Sequence, residues 1–328
     1  MLALRFLLVI SPIIILKEVK YMFPNKILTL VAIAFILFSA CSNPEKEPAS
    51  KNDSHTNEIP VRHLNQDFKD YWYSGKAEIT TYQLSQVRYG ELREGTAVNI
   101  FVTEDFLPNE QVKANNFSEN NIPVLKLNNT KKFITGIYPY SIMNSTFSPL
   151  TTKQHPLKIS TSSQEWCGQV YMQLNNADEF NIISHSYFEG EADQNISLEK
   201  ELLENEIWNL IRIDPNELPT GDFMMIPSFE YIRLNHKEAK PYKAIATLTS
   251  TDSLQVHTIH YPDLPRQLTI FFNSSFPYEI ERWEESSFTS PSDTLGLKTI
   301  ATKINRIRTN YWAQNSNDDK LLRSSMGL

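Results

Sequence analysis

Three carboxylates, Glu78, Glu91 and Glu94, lie within one short stretch of the chain together with Arg88 and Arg93. If that stretch folds as a hairpin that curls, two of the acids converge. Paired carboxylates of this kind do the acid and base work of glycoside hydrolysis, so Glu78 and Glu91 are the candidate catalytic pair. A solvated, charged connection explains the same residues without chemistry. A second cluster, His257, His260 and Asp263, has the residue types of a metal site. In a strand, residues three apart point to opposite faces, which argues for structural histidines and no metal.

A third set is aromatic. Trp72, Tyr73 and Trp166 stand near charged groups, and such side chains form stacking platforms for sugars or line apolar pockets. Strands and their cores are also rich in aromatics, so core packing accounts for most of them. Trp72, Tyr73, Glu78, Arg88, Glu91 and Trp166 are the expected ligand-binding residues. The tripeptides Asp252-Ser253-Leu254 and Asp293-Thr294-Leu295 have the Asp-Ser/Thr-aliphatic form of a Bacteroidetes O-glycosylation acceptor, at Ser253 and Thr294.

The missing motifs exclude more than the present ones establish. The chain has only nine glycines, and it contains no phosphate-cradling Gly-rich loop, no GxSxG elbow and no HExxH helix. No cofactor is expected. The formal charge of −7 makes nucleic acid a poor partner.

The address is written in Leu37-Phe38-Ser39-Ala40-Cys41, an apolar run ending in small residues and cysteine. This is the lipobox pattern, in which the thiol of Cys41 is acylated and the chain is cut before it. Residues 1–40 then form the signal region, with Met22 as the expected true start, Lys26 in the n-region and Ile27 to Leu37 as the apolar core. Neither apolar run, Leu2 to Leu16 or Ile27 to Ala40, reaches the roughly 20 residues of a membrane-spanning helix. A retained two-helix anchor is the alternative. Ser42 after the cysteine favours the outer membrane, and Glu45 and Glu47 leave display on the outer face open. Removal of residues 1–40 takes away Arg5, Lys17, Lys20, Lys26 and Glu18, so the remainder is more acidic still. Of two cysteines only Cys167 is left, and its neighbours Trp166, Val170 and Tyr171 predict that it is buried.

The elements that must position these residues follow in order. Residues 41–65 are polar with three prolines and read as a tether, whose reach is roughly 25 Å for about 20 flexible residues. Folding begins near Phe68. Strand patterns are predicted at Gly75 to Tyr82 and Ala97 to Thr103, joined by a charged connection from Arg88 to Gly95. A hairpin is predicted from Val124 to Tyr138, turning at Asn128-Asn129, with further strands to Phe188. From Ser197 to Ile213 the apolar residues take helical spacing, with Ser197 as N-cap and Asp214-Pro215 as the stop. Strands resume at Phe223 to Leu234 and continue through Lys298 to Arg308, and the tail from Ala313 to Leu328 is expected to fray.

The reading is a mainly β protein: a large curved antiparallel meander, half-barrel or sandwich, with one inserted amphipathic helix near 197–213. The β-rich domain covers residues 66–312 and could divide into two sub-sheets near 197–221.

Four stretches carry a family resemblance: Tyr71 to Glu78, Arg88 to Glu91, Ile100 to Phe106 and Gln164 to Gln169. Through them the chain from about Phe68 to Trp283 resembles a family of flavobacterial-type lipoproteins whose members often carry the label septum formation inhibitor Maf. The resemblance implies a lipid-anchored, strand-rich envelope protein. The label would imply a nucleotide pyrophosphatase, but the Ser-x-x-Arg-Arg phosphate-binding element of true Maf proteins does not occur here. No site residue is carried over. The expected function is a non-enzymatic binding or envelope-assembly module, anchored to the membrane through lipid on Cys41 and taking an apolar or glycan ligand. The alternative is a polysaccharide hydrolase using Glu78 and Glu91.

Overall fold

The structure, a computed structural model, describes residues 59–286 and 296–328. Cys41 and Thr294 lie outside the described residues. A short helix, α1 (Gln66–Trp72), leads into β1 (Ala77–Arg88), β2 (Glu91–Leu107), β3 (Val112–Lys113), β4 (Ile122–Thr135) and β5 (Tyr138–Pro149). Then come β6 (Lys158–Glu165), β7 (Gly168–Asn176), β8 (Phe180–His185), β9 (Gln194–Leu198) and β10 (Leu202–Leu203). Helix α2 (Glu204–Ile213), β11 (Gly221–Ile226) and α3 (Phe229–Leu234) follow. The chain continues through β12 (Tyr242–Ser250), β13 (Leu254–Tyr261), β14 (Arg266–Asn273), β15 (Ile280–Ser286), β16 (Lys298–Thr309) and α4 (Lys320–Ser325).

The sixteen strands of the described residues belong to one sheet, in the order β10-β11-β12-β13-β14-β15-β16-β1-β2-β4-β5-β6-β7-β8-β9, with β3 beside β2. Every neighbouring pair is antiparallel except β10 and β11. The sheet is mainly a meander because most connections are tight. At the β1–β2 turn, Tyr89 and Gly90 both take positive φ, the two-residue hairpin geometry that matches strand twist. Gly95 is required for a different reason: a Cβ there would lie 2.2 Å from the carbonyl oxygen of Lys132 on β4.

The sequence order dictates the curvature. The sheet's two edges are β9 and β10, which are consecutive and separated only by Glu199-Lys200-Glu201. Four Cα steps span at most about 15 Å. Laid flat, fifteen strands would hold those edges about 65 Å apart. The sheet therefore curls through most of a turn and stops short of closing into a barrel, leaving a seam between β9 and β10.

Helix α2 fills the hollow of this curl. Ile207 and Ile211 join a core cluster with Tyr82, Phe101, Ile142, Ile270 and Trp283, residues drawn from both arms of the sheet. Burying each large aliphatic side chain contributes about 2 kcal/mol. A helix surrounded by protein needs a partner for each polar side chain. Asn209 Nδ2 accordingly donates to the Leu125 carbonyl (2.8 Å) and to Ser148 Oγ (2.9 Å). A second cluster joins Phe180 and Ile182 of β8 to Ile226 of β11 and Phe229 and Ile232 of α3, packing the two arms together near the seam.

The mainly β, curved meander agrees with the expectation, and several details differ. The described strands form one sheet, and its two edges, β9 and β10, meet at the 199–201 crossing. The helix starts at Glu204, not at Ser197, because Ser197 pairs with β8 and the chain must first cross the seam. Glu206 then caps it, accepting from the Leu203 backbone N–H (2.9 Å). It is one of four α-helices among the described residues. Residues 223–234 are not one strand: Pro227 ends β11 and Ser228 Oγ caps α3. Asn128-Asn129 is no turn but the middle of β4, where Asn129 faces inward and donates to Asn99 Oδ1 (2.6 Å). The connection from Arg88 to Gly95 is mostly strand. The tail is anchored, for Met326 is buried and its carbonyl accepts from Thr81 Oγ1 (2.6 Å). Cys167 is exposed, in the tight β6–β7 turn where side chains point away from the sheet.

Candidate functional site

A roomy opening lies at the seam. It is a groove of about 680 Å³ bounded by the N-terminal segment, the β5–β6 connection, the β9–β10 crossing and the start of α2. The N-terminal wall is set by Arg62, a residue in the span expected to be tether. Val61 makes a β-bridge to Thr152, and the buried Arg62 guanidinium donates to the carbonyls of Pro149 (2.7 Å) and Thr152 (2.9 Å). Its other donors, Nη2 (2.6 Å) and Nε (3.1 and 3.2 Å), hold the carboxylate of Glu217, which sits on a 3-10 turn, Pro215–Glu217, after α2. Lys153 Nζ approaches the same carboxylate at 3.1 Å. Burial pushes the Glu217 carboxyl up, but its bonds to Arg62 and the charges of Arg62 and Lys153 outweigh that and hold it below the usual range.

The opposite wall carries a histidine–carboxylate pair. His155 Nδ1 lies 3.0 and 3.1 Å from the two oxygens of Glu206. Burial pulls the ring's pKa down, while the bond to Glu206 and the negative charge there pull it up, and the net direction is up. Nδ1 is thus engaged, and Nε2 is the nitrogen left for a ligand. Lys200 lines the groove from the crossing, and Leu202, Leu210 and Ile59 supply its apolar surface. The site combines a cationic rim, an oriented imidazole and an apolar floor.

The hollow of the sheet, by contrast, is filled. Arg212 of α2 donates to both oxygens of Glu78, and Tyr71 donates to the same carboxylate. Burial raises the Glu78 pKa, and the charge of Arg212, its bonds and that from Tyr71 bring it below the ordinary value. Nearer the other end, Arg266 bonds Glu204 and reaches Glu285 at 3.1 Å. Lys131 joins Glu285 (2.7 Å) to Glu230 (2.8 Å). The Glu285 carboxyl is raised by burial but brought down to about 2 by Lys131 and Arg266. The cavity beside this network holds about 30 Å³, room for a water molecule and not for a lipid or sugar.

The structure divides the sequence-derived candidates between the two ends of the sheet. Trp72 is buried against Phe101, with ring centroids 6.1 Å apart, and Tyr73 is exposed beside it. Both lie with Glu78 at the start of β1. Arg88, Glu91 and Trp166 sit at the other end. Arg88 donates to the Leu234 carbonyl (2.8 Å), its guanidinium lies 4.4 Å from the Tyr89 ring centroid, and Glu91 pairs with Arg93. Trp166 is 68% exposed and stands 6.4 Å from Tyr138. Ten residues of strand separate Glu78 from the level of Glu91, about 33 Å, whereas a glycosidase pair needs at most about 10 Å. The structure does not bring these two acids together.

His257 is buried and bonds the Pro219 carbonyl through Nε2 (2.9 Å), while His260 lies three positions along the same strand. No group of three or more metal-ligating side chains converges among the described residues. Ser253 is exposed in the β12–β13 turn. No helix of the described residues is long and apolar enough to cross a membrane.

Sequence reasoning missed the groove residues Arg62, Lys153, His155, Lys200, Glu206 and Glu217. They come from five separated segments, and each alone is an ordinary charged residue. The signal that existed was the helix start: placing it after Leu203 makes Glu206 a capping carboxylate at the third helical position. In comparisons with known proteins, no family model, curated protein or solved structure matches the chain.

Proposed function

We propose that the chain is a non-enzymatic binding module of the cell envelope, tethered to the outer membrane by lipid on Cys41, whose ligand occupies the seam groove. The observation that carries the reading is the contrast in space: about 680 Å³ at the seam against about 30 Å³ beside the Lys131 network in the hollow of the sheet and about 220 Å³ beside Phe68 and Phe276. Pockets that take small molecules have volumes of about 300–1,000 Å³ and mix apolar surface with a few placed polar groups. Ile59 and Pro60, the first described residues and part of the span expected to be tether, line this groove. A hydrolase working through Glu78 and Glu91 draws no support from their separation or from the seal that Arg212 places over Glu78.

Two measurements test the reading. A clickable palmitate analogue fed to cells should label the wild-type chain and leave Cys41→Ser unlabelled. Native mass spectrometry of the chain taken from its own membrane should show an added small-molecule mass. That mass should disappear in Leu210→Trp, which fills the groove, and persist in Ile137→Ser at the far rim. Equal retention in both variants would place the ligand elsewhere and overturn the proposal.

A further inference from the structure

The groove's charges narrow its ligand. Among the groups that line it, Arg62, Lys153 and Lys200 are cationic, and His155 becomes so on protonation, against Glu206 and Glu217, in a protein whose formal charge is −7. A locally positive groove on an acidic surface concentrates anions. The donors decide which anion. Bidentate holding, of a planar carboxylate or of a phosphate, takes the two-pronged arginine fork. The only arginine lining the groove has its fork fully engaged by Glu217 and the backbone carbonyls. The cationic groups that remain are the ammonium groups of Lys200 and of Lys153, which Glu217 shares at 3.1 Å, and the His155 imidazole; such point-charge donors match the roughly −1.5 to −2 charge of a phosphomonoester better than the single charge of a carboxylate.

We propose that the seam groove binds a phosphomonoester carried on a partly apolar body, held by the ammonium groups of Lys153 and Lys200 and by Nε2–H of His155. The inference rests on the binding-module reading above and names the ligand class of the same site. The apolar body lies against Leu202, Leu210 and Ile59. Binding weakens as pH rises, because the imidazole must carry a proton on Nε2 while Glu206 accepts from Nδ1. Burial lowers the ring's affinity for that proton, and the Glu206 bond and charge raise it. Lys200 opposes and Glu201 assists from the crossing segment, and the balance is upward.

The phosphate could come from a soluble sugar phosphate or from a lipid headgroup. Calorimetric titration of the purified full chain with glucose 1-phosphate, and separately with short-chain dihexanoyl phosphatidic acid, distinguishes the two sources. Saturable binding at pH 6, weakened about tenfold by pH 8, is expected for at least one. His155→Gln should weaken binding about tenfold at pH 6 and remove the loss of binding between pH 6 and pH 8, leaving only the opposite dependence that the ligand's own second ionisation at about pH 6 imposes, and Lys200→Glu should abolish binding. Lys132→Glu, on the outer face of β4, should change neither. Absence of saturable binding by both probes, or binding indifferent to Lys200→Glu, would overturn the phosphate assignment. An uncharged molecule found in the groove by native mass spectrometry would do so while leaving the binding-module reading intact.

Discussion

Arg212 reaches from helix α2 to Glu78 on β1 with its two terminal nitrogens 2.5 and 2.8 Å from the two carboxylate oxygens, and each side chain is only 1% exposed. The guanidinium also lies 4.7 Å from the Phe101 ring centroid and 5.1 Å from that of Trp72. This pair fixes the end of the plug helix to the middle of the sheet, where β1 meets β16. Removing one partner leaves a buried charge without compensation. Arg212→Met and Glu78→Leu should each lower unfolding free energy by about 3–5 kcal/mol in urea titration, and the double variant should recover much of the loss. Additive losses would mean that the pair does not interact as described.

Acid should unfold the protein in steps tied to these carboxylates. Glu78, Glu191, Glu217 and Glu285 all have folded pKa values below the unfolded value of 4.5, Glu285 at about 2. A depressed carboxylate stabilises the fold above its unfolded pKa and loses that contribution as pH falls through its folded one. Stability should therefore decline from about pH 4.5 toward pH 2. His155 acts oppositely: its raised pKa stabilises the fold below the ordinary histidine value and the contribution is lost as pH rises through the raised one. Urea midpoints measured across pH 2 to 9 should show the acid decline, shallower in Glu285→Gln, and unchanged midpoints at low pH would contradict it.

The strands were legible in the sequence wherever one face met the core, as in Leu254 to Tyr261, because alternation records burial directly. The errors fall where tertiary partners override local pattern. Asn128-Asn129 has turn composition, yet Asn99 and Asn144 flank Asn129 and make an inward amide ladder affordable. Ser197 to Leu203 has helical spacing, but it supplies the edge strands and the crossing that the seam demands. The groove was invisible for a related reason. It is made where the two edges of the curled sheet approach each other, and that depends on which strands become edges.

The exposed Cys167 gives a direct check on the β6–β7 turn. Its backbone N–H donates to Glu165 Oε2 (2.7 Å), and the thiol's hydrogen bond to Glu165 raises its pKa. A maleimide should label the native protein fully without denaturant, with a rate that rises with pH. Glu165→Gln should label faster than wild type at pH 7, because its thiolate fraction is larger. A thiol that reacts only after unfolding would refute the described turn.

The central claim is that ligand sits at the seam and not in the hollow or at the aromatic rim. Photo-crosslinking in living cells tests it most directly, with a benzophenone side chain placed at Gln154 beside the groove or at Ile137 on the opposite rim. The account predicts a small-molecule adduct, seen by mass spectrometry, on the Gln154 variant and none on the Ile137 variant. An adduct on Ile137 alone would contradict it.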